Sequence, residues 1–339
     1  MAASGLRLKS RPRGRTITFI GALFILAGGL LLLFGWPKVF DRSALRFERV
    51  AELTPGDTGF PDLMGHFKAD RLITYQLHQG DSPSLPLQMA EYRDDHGKMA
   101  TAIMYPTVGG AKSALSSQPN ALRAKLWGEA AQAIQQHSDA KGLFLTWWDN
   151  AQRIRFLTGH DSWADLPAAD AYSDSAQKNL WEQAGGGFEP EGRKLKQLAR
   201  WLTMDADQAL VEIAAVVPTQ RPIYFLICLD DLARLTEIET LSGKRLPFEL
   251  NVFPASDNLH AQIASVRRWA NQKPPGSYLV QKLSSGDVRA WRISSEEGAK
   301  SLLARLLPFT TSIGKPMEKM SLVYQSEWGG YLSIYQWWP

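Results

Sequence analysis

The 339-residue sequence contains a single cysteine, Cys228. One thiol excludes an intramolecular disulfide, a multi-cysteine zinc site and an iron–sulfur cluster. No C-x-x-C-H is present, so the chain attaches no c-type haem covalently. Cys228 sits in the apolar run IYFLICL, where a thiol reads as an inert core side chain. The histidines, at 66, 78, 96, 137, 160 and 260, include no H-x-x-x-H or H-E-x-x-H pair, which leaves no local metal motif. No G-x-G-x-x-G follows a strand, and no G-x-S-x-G elbow occurs. Tyr105–Ser113 only superficially resembles a phosphate loop, because Pro106 and Ala111 stand where that loop needs glycine. No cofactor is expected on this chain.

Charge is also missing where the bulk numbers imply it. The formal charge is +4, yet Arg7, Lys9, Arg11, Arg13 and Arg15 lie in a leading tail with no acidic residue. The remainder holds 33 basic against 34 acidic side chains and is nearly neutral. A broad basic face for nucleic acid is therefore unsupported. A hydrophobic content of 45% excludes a largely disordered chain.

Thr16–Trp36 has no charged residue at all. About 20 helical residues cross the hydrocarbon core, so the run matches one membrane span. The basic tail precedes it, and the positive-inside rule keeps residues 1–15 cytoplasmic and sends the rest to the periplasm. A cleaved signal peptide would have a shorter apolar core and a small-x-small site, and a buried core helix would have a polar face. The reading is a single-pass anchor at 16–36 in a bacterial inner membrane, a tether at 37–70 and a periplasmic domain at 71–339.

Within that domain, apolar strands alternate with helical patterns. Strands are expected at 71–77, 87–93, 100–105, 142–148, 210–217, 222–229, 247–253, 277–283 and 288–293, with a hairpin of 320–326 and 330–336. Helices are expected at 119–137, 150–158, 174–184, 192–203, 231–241, 258–271 and 296–307. The alternation predicts a layered α/β domain with a mainly parallel or mixed central sheet. Runs 142–148 and 222–229 are apolar almost throughout, as strands covered on both faces require. Gly185-Gly186-Gly187 reads as a flexible joint. The closing aromatics, Trp328, Tyr331, Tyr335, Trp337 and Trp338, have three uses open to them: docking on the domain, the membrane interface or a partner.

The densest stretch is 141–163, KGLFLTWWDNAQRIRFLTGHDSW. Asp149 and Gln152 have capping-box spacing, and Gly159 suits a helix C′ position. Open α/β sheets bind ligands beyond the carboxyl ends of their strands, and Trp148, Asp149, Asn150, Arg153, His160 and Trp163 crowd one such rim. Adjacent tryptophans alternate on a strand, so one of Trp147 and Trp148 is expected in the core and the other nearer the rim. The device recurs as Asp230-Asp231 with Arg234, each Arg four residues after the first Asp, and as Asp257-Asn258 without the Arg. Asp149, Asp230, Asp231 and Asp257 converge if they form a site; separate helix caps account for them equally.

TWWDNAQRIRFLTG with the later HDSW, behind a single N-terminal anchor, resembles the hydroxylamine oxidation protein HaoB family. The W-W-D-x-G motif of oligosaccharyltransferases is a poorer parallel, since no glycine stands two residues after Asp149. The HaoB resemblance implies a role beside a multihaem hydroxylamine oxidoreductase or a c-type cytochrome, with no catalytic residues to carry over. Two functions stay open: a non-catalytic accessory that supports or tethers that enzyme, and a membrane-tethered hydrolase or transferase using the rim carboxylates.

Overall fold

The computed structural model describes residues 46–339, apart from 59, 61–62, 64, 79–84, 105–119, 172–174, 185, 219, 273–275, 284–285 and 316. The basic tail, the apolar run 16–36 and the segment Tyr105–Ser113 lie outside the described residues. Among the described residues no helix is long and apolar enough to cross a membrane.

Four strands open the fold as an antiparallel meander in chain order: β1 (Arg46–Leu53), β2 (Ala69–His78), β3 (Leu85–Arg93) and β4 (Met99–Met104). β1 lies inside the stretch read as a tether, yet it pairs along its length with β2. The β3–β4 turn is held by Asp94, whose carboxylate accepts from the amides of His96 and Lys98, both at 2.9 Å.

Helix α1 (Asn120–His137) then leads to β5 (Leu143–Leu145), α2 (Trp148–Thr158), β6 (Asp161–Ser162), α3 (Ser175–Gln183), α4 (Arg193–Thr203) and α5 (Ala206–Val216). α5 occupies the segment expected as a strand at 210–217. The apolar run LVEIAAVV hides a helical pattern, because Ala206, Ala209, Leu210 and Ile213 are buried at spacings of three and four. Asp205 caps the helix through the amides of Asp207 and Gln208.

β7 (Ile223–Cys228) is buried at every position and passes through a 3-10 turn, Leu229–Arg234, into α6 (Leu235–Ser242). β8 (Phe248–Phe253), α7 (Leu259–Ala270), β9 (Ser277–Lys282) and β10 (Val288–Ile293) follow. The single helix expected at 296–307 is two, α8 (Glu296–Ala299) and α9 (Leu302–Leu306). Ser301 separates them and caps the second. β11 (Met320–Gln325), α10 (Glu327–Gly330) and β12 (Leu332–Trp337) close the chain as the expected hairpin.

The protein is thus mixed α/β, with sheets of mixed orientation. The five-stranded sheet runs β11-β12-β7-β5-β6: β5 is parallel to β6 and β7, whereas β12 is antiparallel to both β7 and β11. β8-β10-β9 form a separate antiparallel sheet. One cluster of buried apolar side chains runs from Phe67 to Trp337. Trp337 is buried against Phe225, while the following Trp338 is exposed.

The glycines at 186–187 mark a close approach rather than a joint. The Trp181 indole donates to the Gly187 carbonyl at 2.7 Å. A Cβ at Gly186 would lie 2.0 Å from that ring.

Candidate functional site

Because β5 and β7 are parallel neighbours, α2 and the 3-10 turn leave the same carboxyl edge of the sheet, and their first residues meet there. Asn150 donates through Nδ2 to Asp231 Oδ1 at 2.9 Å. The other oxygen of Asp231 accepts the amide of Cys228 at 2.8 Å, which closes the 3-10 turn. Arg153 donates to Asn150 Oδ1 (2.8 Å) and to Asp149 Oδ2 (3.1 Å). Arg234 crosses from the second junction to the same Asp149 oxygen at 3.0 Å. One carboxylate therefore joins two guanidinium groups, one from each junction.

The i,i+4 pairing expected within each junction forms at Asp149–Arg153 and is exchanged at the other. Asp230 accepts from Arg123 of α1 (2.8 Å) and from the Tyr331 hydroxyl (2.6 Å), while Arg234 turns to Asp149. The 3-10 geometry of Leu229–Arg234 explains the exchange. With three residues per turn, positions four apart do not stack. Asp149 is not a cap either: Trp147 holds the N-cap position and makes no side-chain cap bond. Gly159, with φ 76°, does take the expected left-handed position after α2.

Both tryptophans are buried, which corrects the expectation that one would sit nearer the rim. Trp147 donates to Glu237 Oε2 at 2.9 Å and Trp148 donates to Oε1 at 3.3 Å. Trp148 heads α2 rather than ending a strand, so its ring swings to the same side as its neighbour's. The Arg234 guanidinium lies over the Trp148 ring at 5.8 Å, and Arg153 lies over Trp127 at 5.2 Å.

The cluster has four carboxyl groups (Asp149, Asp230, Asp231, Glu237) with four arginines around them (Arg123, Arg153, Arg234, Arg289). Burial, with repulsion from Asp149, pushes the Asp231 carboxyl up to about 7 against the hydrogen bonds from Cys228 and Asn150. Burial pushes Glu237 up to about 8 against the pull of Arg234 and the Trp147 indole. It also raises the Cys228 thiol and lowers Arg289 to about 10.

A family model described as HaoA-associated protein HaoB matches residues 13–337, nearly the whole chain. The chain belongs to the HaoB family. That family is associated with HaoA in hydroxylamine oxidation and nitrification. No curated protein sequence matches the chain. The crystal structure of the C. jejuni PglB C-terminal domain is similar with a TM-score of 0.38 at 10% identity, covering 62% of this chain and 99% of that one. An N-acetylglucosamine-phosphate mutase in its substrate complex gives 0.13 at 10% identity, over 70% of this chain and 48% of that one. Scores this low carry no inference about fold or function.

In this HaoB-family chain the remaining candidate residues lie apart from the cluster. His160 is buried beyond the far end of α2, its ring nitrogens 3.0 Å from Thr158 Oγ1 and 3.1 Å from the Asp139 carbonyl. Burial lowers its pKa. The Trp163 indole donates to the Lys194 carbonyl at 3.2 Å and its ring lies under the Lys194 ammonium. Asp257 is exposed in the connection between β8 and α7, outside the five-stranded sheet that carries the cluster. Asp149, Asn150, Arg153, Asp230, Asp231 and Trp148 converge; His160, Trp163 and Asp257 do not join them.

Glu237, Arg123 and Arg289 were missed, and Tyr331 was read only as one of the closing aromatics. Glu237 sits beside Ile238 on the buried face of α6. Among the described residues, no group of three or more His, Cys, Asp or Glu is arranged to hold a metal ion.

The cluster offers little to a substrate, since Asp149 and Asp231 are 4% and 2% exposed. Clefts open elsewhere. One of about 580 Å³ lies between the meander and α2, lined by Tyr92, Lys98, Gln152, Arg155 and Asp165 among others. Helix α2 thus turns Asp149, Asn150 and Arg153 inward and shows Gln152 and Arg155 to that cleft.

Proposed function

We propose that this chain is a membrane-anchored periplasmic accessory of HaoA that supports or tethers the enzyme and does no chemistry of its own. The observation that carries the reading is the closure of the strand rim. Asp149, Asp231 and Glu237 are bonded to arginines, indoles and amides of the same chain and lie away from solvent, Asp230 is half-buried and held by Arg123 and the Tyr331 hydroxyl, and Asp257 stands apart from them. An acid–base pair must reach its substrate within hydrogen-bond distance. The rim therefore serves as a scaffold that locks α2 and α6 to the sheet.

The sequence supports the anchor. The family match takes in the uncharged run 16–36 and begins within the basic tail. Residues 37–45, between that run and β1, span at most about 30 Å when fully extended, so the domain is held close to the bilayer.

The test is isolation of the full-length protein from solubilised membranes of its own cells, with mass spectrometry of what accompanies it. HaoA is expected in a fixed ratio; isolation without HaoA or any c-type cytochrome overturns the reading. A reporter enzyme active only after export, fused behind residue 339, is expected to be active, and an inactive fusion refutes the periplasmic placement.

A further inference from the structure

A groove of about 420 Å³ lies between the segment that follows α9 and the hairpin of β11 and β12. Leu307, Pro308, Met317, Met320, Leu322 and Tyr335 give it an apolar lining. Arg305 and Lys315 supply its charge, and no acidic side chain is among the lining residues. Ile313 and Leu322, at its margin, are 63% and 52% exposed. Aliphatic side chains left so open around a concavity mark a contact surface more than a solvated one.

Internal bonds hold the groove open. The Tyr335 hydroxyl donates to the Leu306 carbonyl at 3.2 Å, Ser312 donates to the Ala304 carbonyl at 2.7 Å, and Arg305 donates to the Lys315 carbonyl at 3.1 Å. A segment that docks there meets a surface already formed, which lowers the entropy lost on binding.

We propose that this groove receives an extended segment of HaoA that carries apolar side chains and carboxylates; the proposal rests on the reading above that HaoA is the partner. Charge complementarity selects the occupant. Apolar side chains fill the floor, and carboxylates meet Arg305 and Lys315. A second copy of this chain fits poorly, because a two-fold contact would set one cationic rim against the other. Simple strand addition fits poorly as well. β11 is the outer strand of its sheet, but a bulge between Leu322 and Tyr324 twists its free edge out of regular pairing. The occupant is held by side chains in the groove.

The experiment uses the full-length protein in its native membranes, with a photo-crosslinking amino acid at position 313 or 322. Crosslinks to HaoA are expected; crosslinks only to lipid, to a second copy or to a different protein overturn the proposal. In parallel, Ile313→Glu, Leu322→Glu and Lys315→Glu are each expected to weaken HaoA retention by about tenfold, because each sets a new carboxylate against the apolar or acidic side chains of the docked segment. Leu259→Glu, at a site 59% exposed on α7 beside another sheet, is the control and is expected to bind as the wild type does. Groove variants that retain HaoA as well as the wild type refute the groove alone, whereas a wild-type protein that captures no HaoA refutes the partner reading itself.

Discussion

Glu237 offers a sharp test of the rim as a scaffold, because one side chain satisfies two buried indoles. Replacing it with leucine leaves the N–H groups of Trp147 and Trp148 without the acceptors they have at 2.9 and 3.3 Å. An orphaned buried donor costs about 1–3 kcal/mol, so Glu237→Leu is expected to lose about 2–6 kcal/mol. A typical domain has only about 5–15 kcal/mol in total. Glu237→Gln keeps one acceptor and sets an amide against the other indole, for a loss of about 1–3 kcal/mol. The carboxyl also titrates differently in the two states. Its folded value is pushed up to about 8 from the usual 4.5, and that of Asp231 to about 7 from 3.8. The native state therefore holds these protons at pH values where the unfolded chain has released them. Stability from both groups is complete below about pH 4 and is lost as the pH rises through 7 to 8. The glutamine variant removes one contribution to that slope, so its deficit against wild type narrows between pH 5 and pH 8.5. Urea unfolding of the solubilised protein, followed by tryptophan fluorescence at several pH values, reads both effects. A leucine variant within about 0.5 kcal/mol of wild type, the range of neutral surface changes, or a glutamine variant with unchanged pH slope, refutes the argument.

Asp149→Ala removes the oxygen shared by Arg153 and Arg234. Breaking a buried pair costs about 3–5 kcal/mol, whereas Lys300→Ala at the exposed Glu296 pair is expected to leave the unfolding midpoint nearly unchanged, and thermal unfolding compares the two. Gly186→Ala forces a Cβ to within 2.0 Å of the Trp181 ring and is expected to lose about 1–3 kcal/mol of urea stability; an unchanged midpoint removes the close-approach reading. Cys228 is fully buried and its thiol is raised by burial, so maleimide labelling at neutral pH is expected to follow global unfolding. Labelling of the native protein at the rate of a free thiol would place Cys228 at the surface.

Much of the fold is legible from the sequence because its strongest elements are locally decided. The β7 run IYFLIC carries no charged residue, and such a short β-branched and aromatic run between Pro222 and Asp230-Asp231 fits a strand covered on both faces. α5 was hidden by an accident of composition. Its β-branched residues, Val211, Ile213 and Val216, sit in an apolar run, while the cap that marks it as helical, Asp205, stands ahead of them. β1 was hidden because it is an edge strand of charged residues with little apolar alternation. The acidic junctions were visible as strand–turn–helix transitions, but their wiring was not. Asp230 takes partners 107 and 101 positions away, Arg123 and Tyr331, and no local spacing announces either. The exchange of Arg234 to Asp149 follows from a 3-10 turn that the sequence reads as ordinary helix.

The separation of the rim from the groove gives the accessory reading its sharpest consequence. Asp149 and Glu237 of the rim are buried, so a variant at either acts on HaoA only by destabilising the domain, and its effect on capture should track the loss of stability. The groove side chains Ile313 and Leu322 are more than half exposed, so their substitution should change capture with stability intact. If Asp149 or Glu237 variants that remain folded abolished capture, the network would be passing something other than rigidity to the partner. A rim built as a scaffold predicts instead that folded rim variants capture HaoA normally, and that only the groove separates binding from folding.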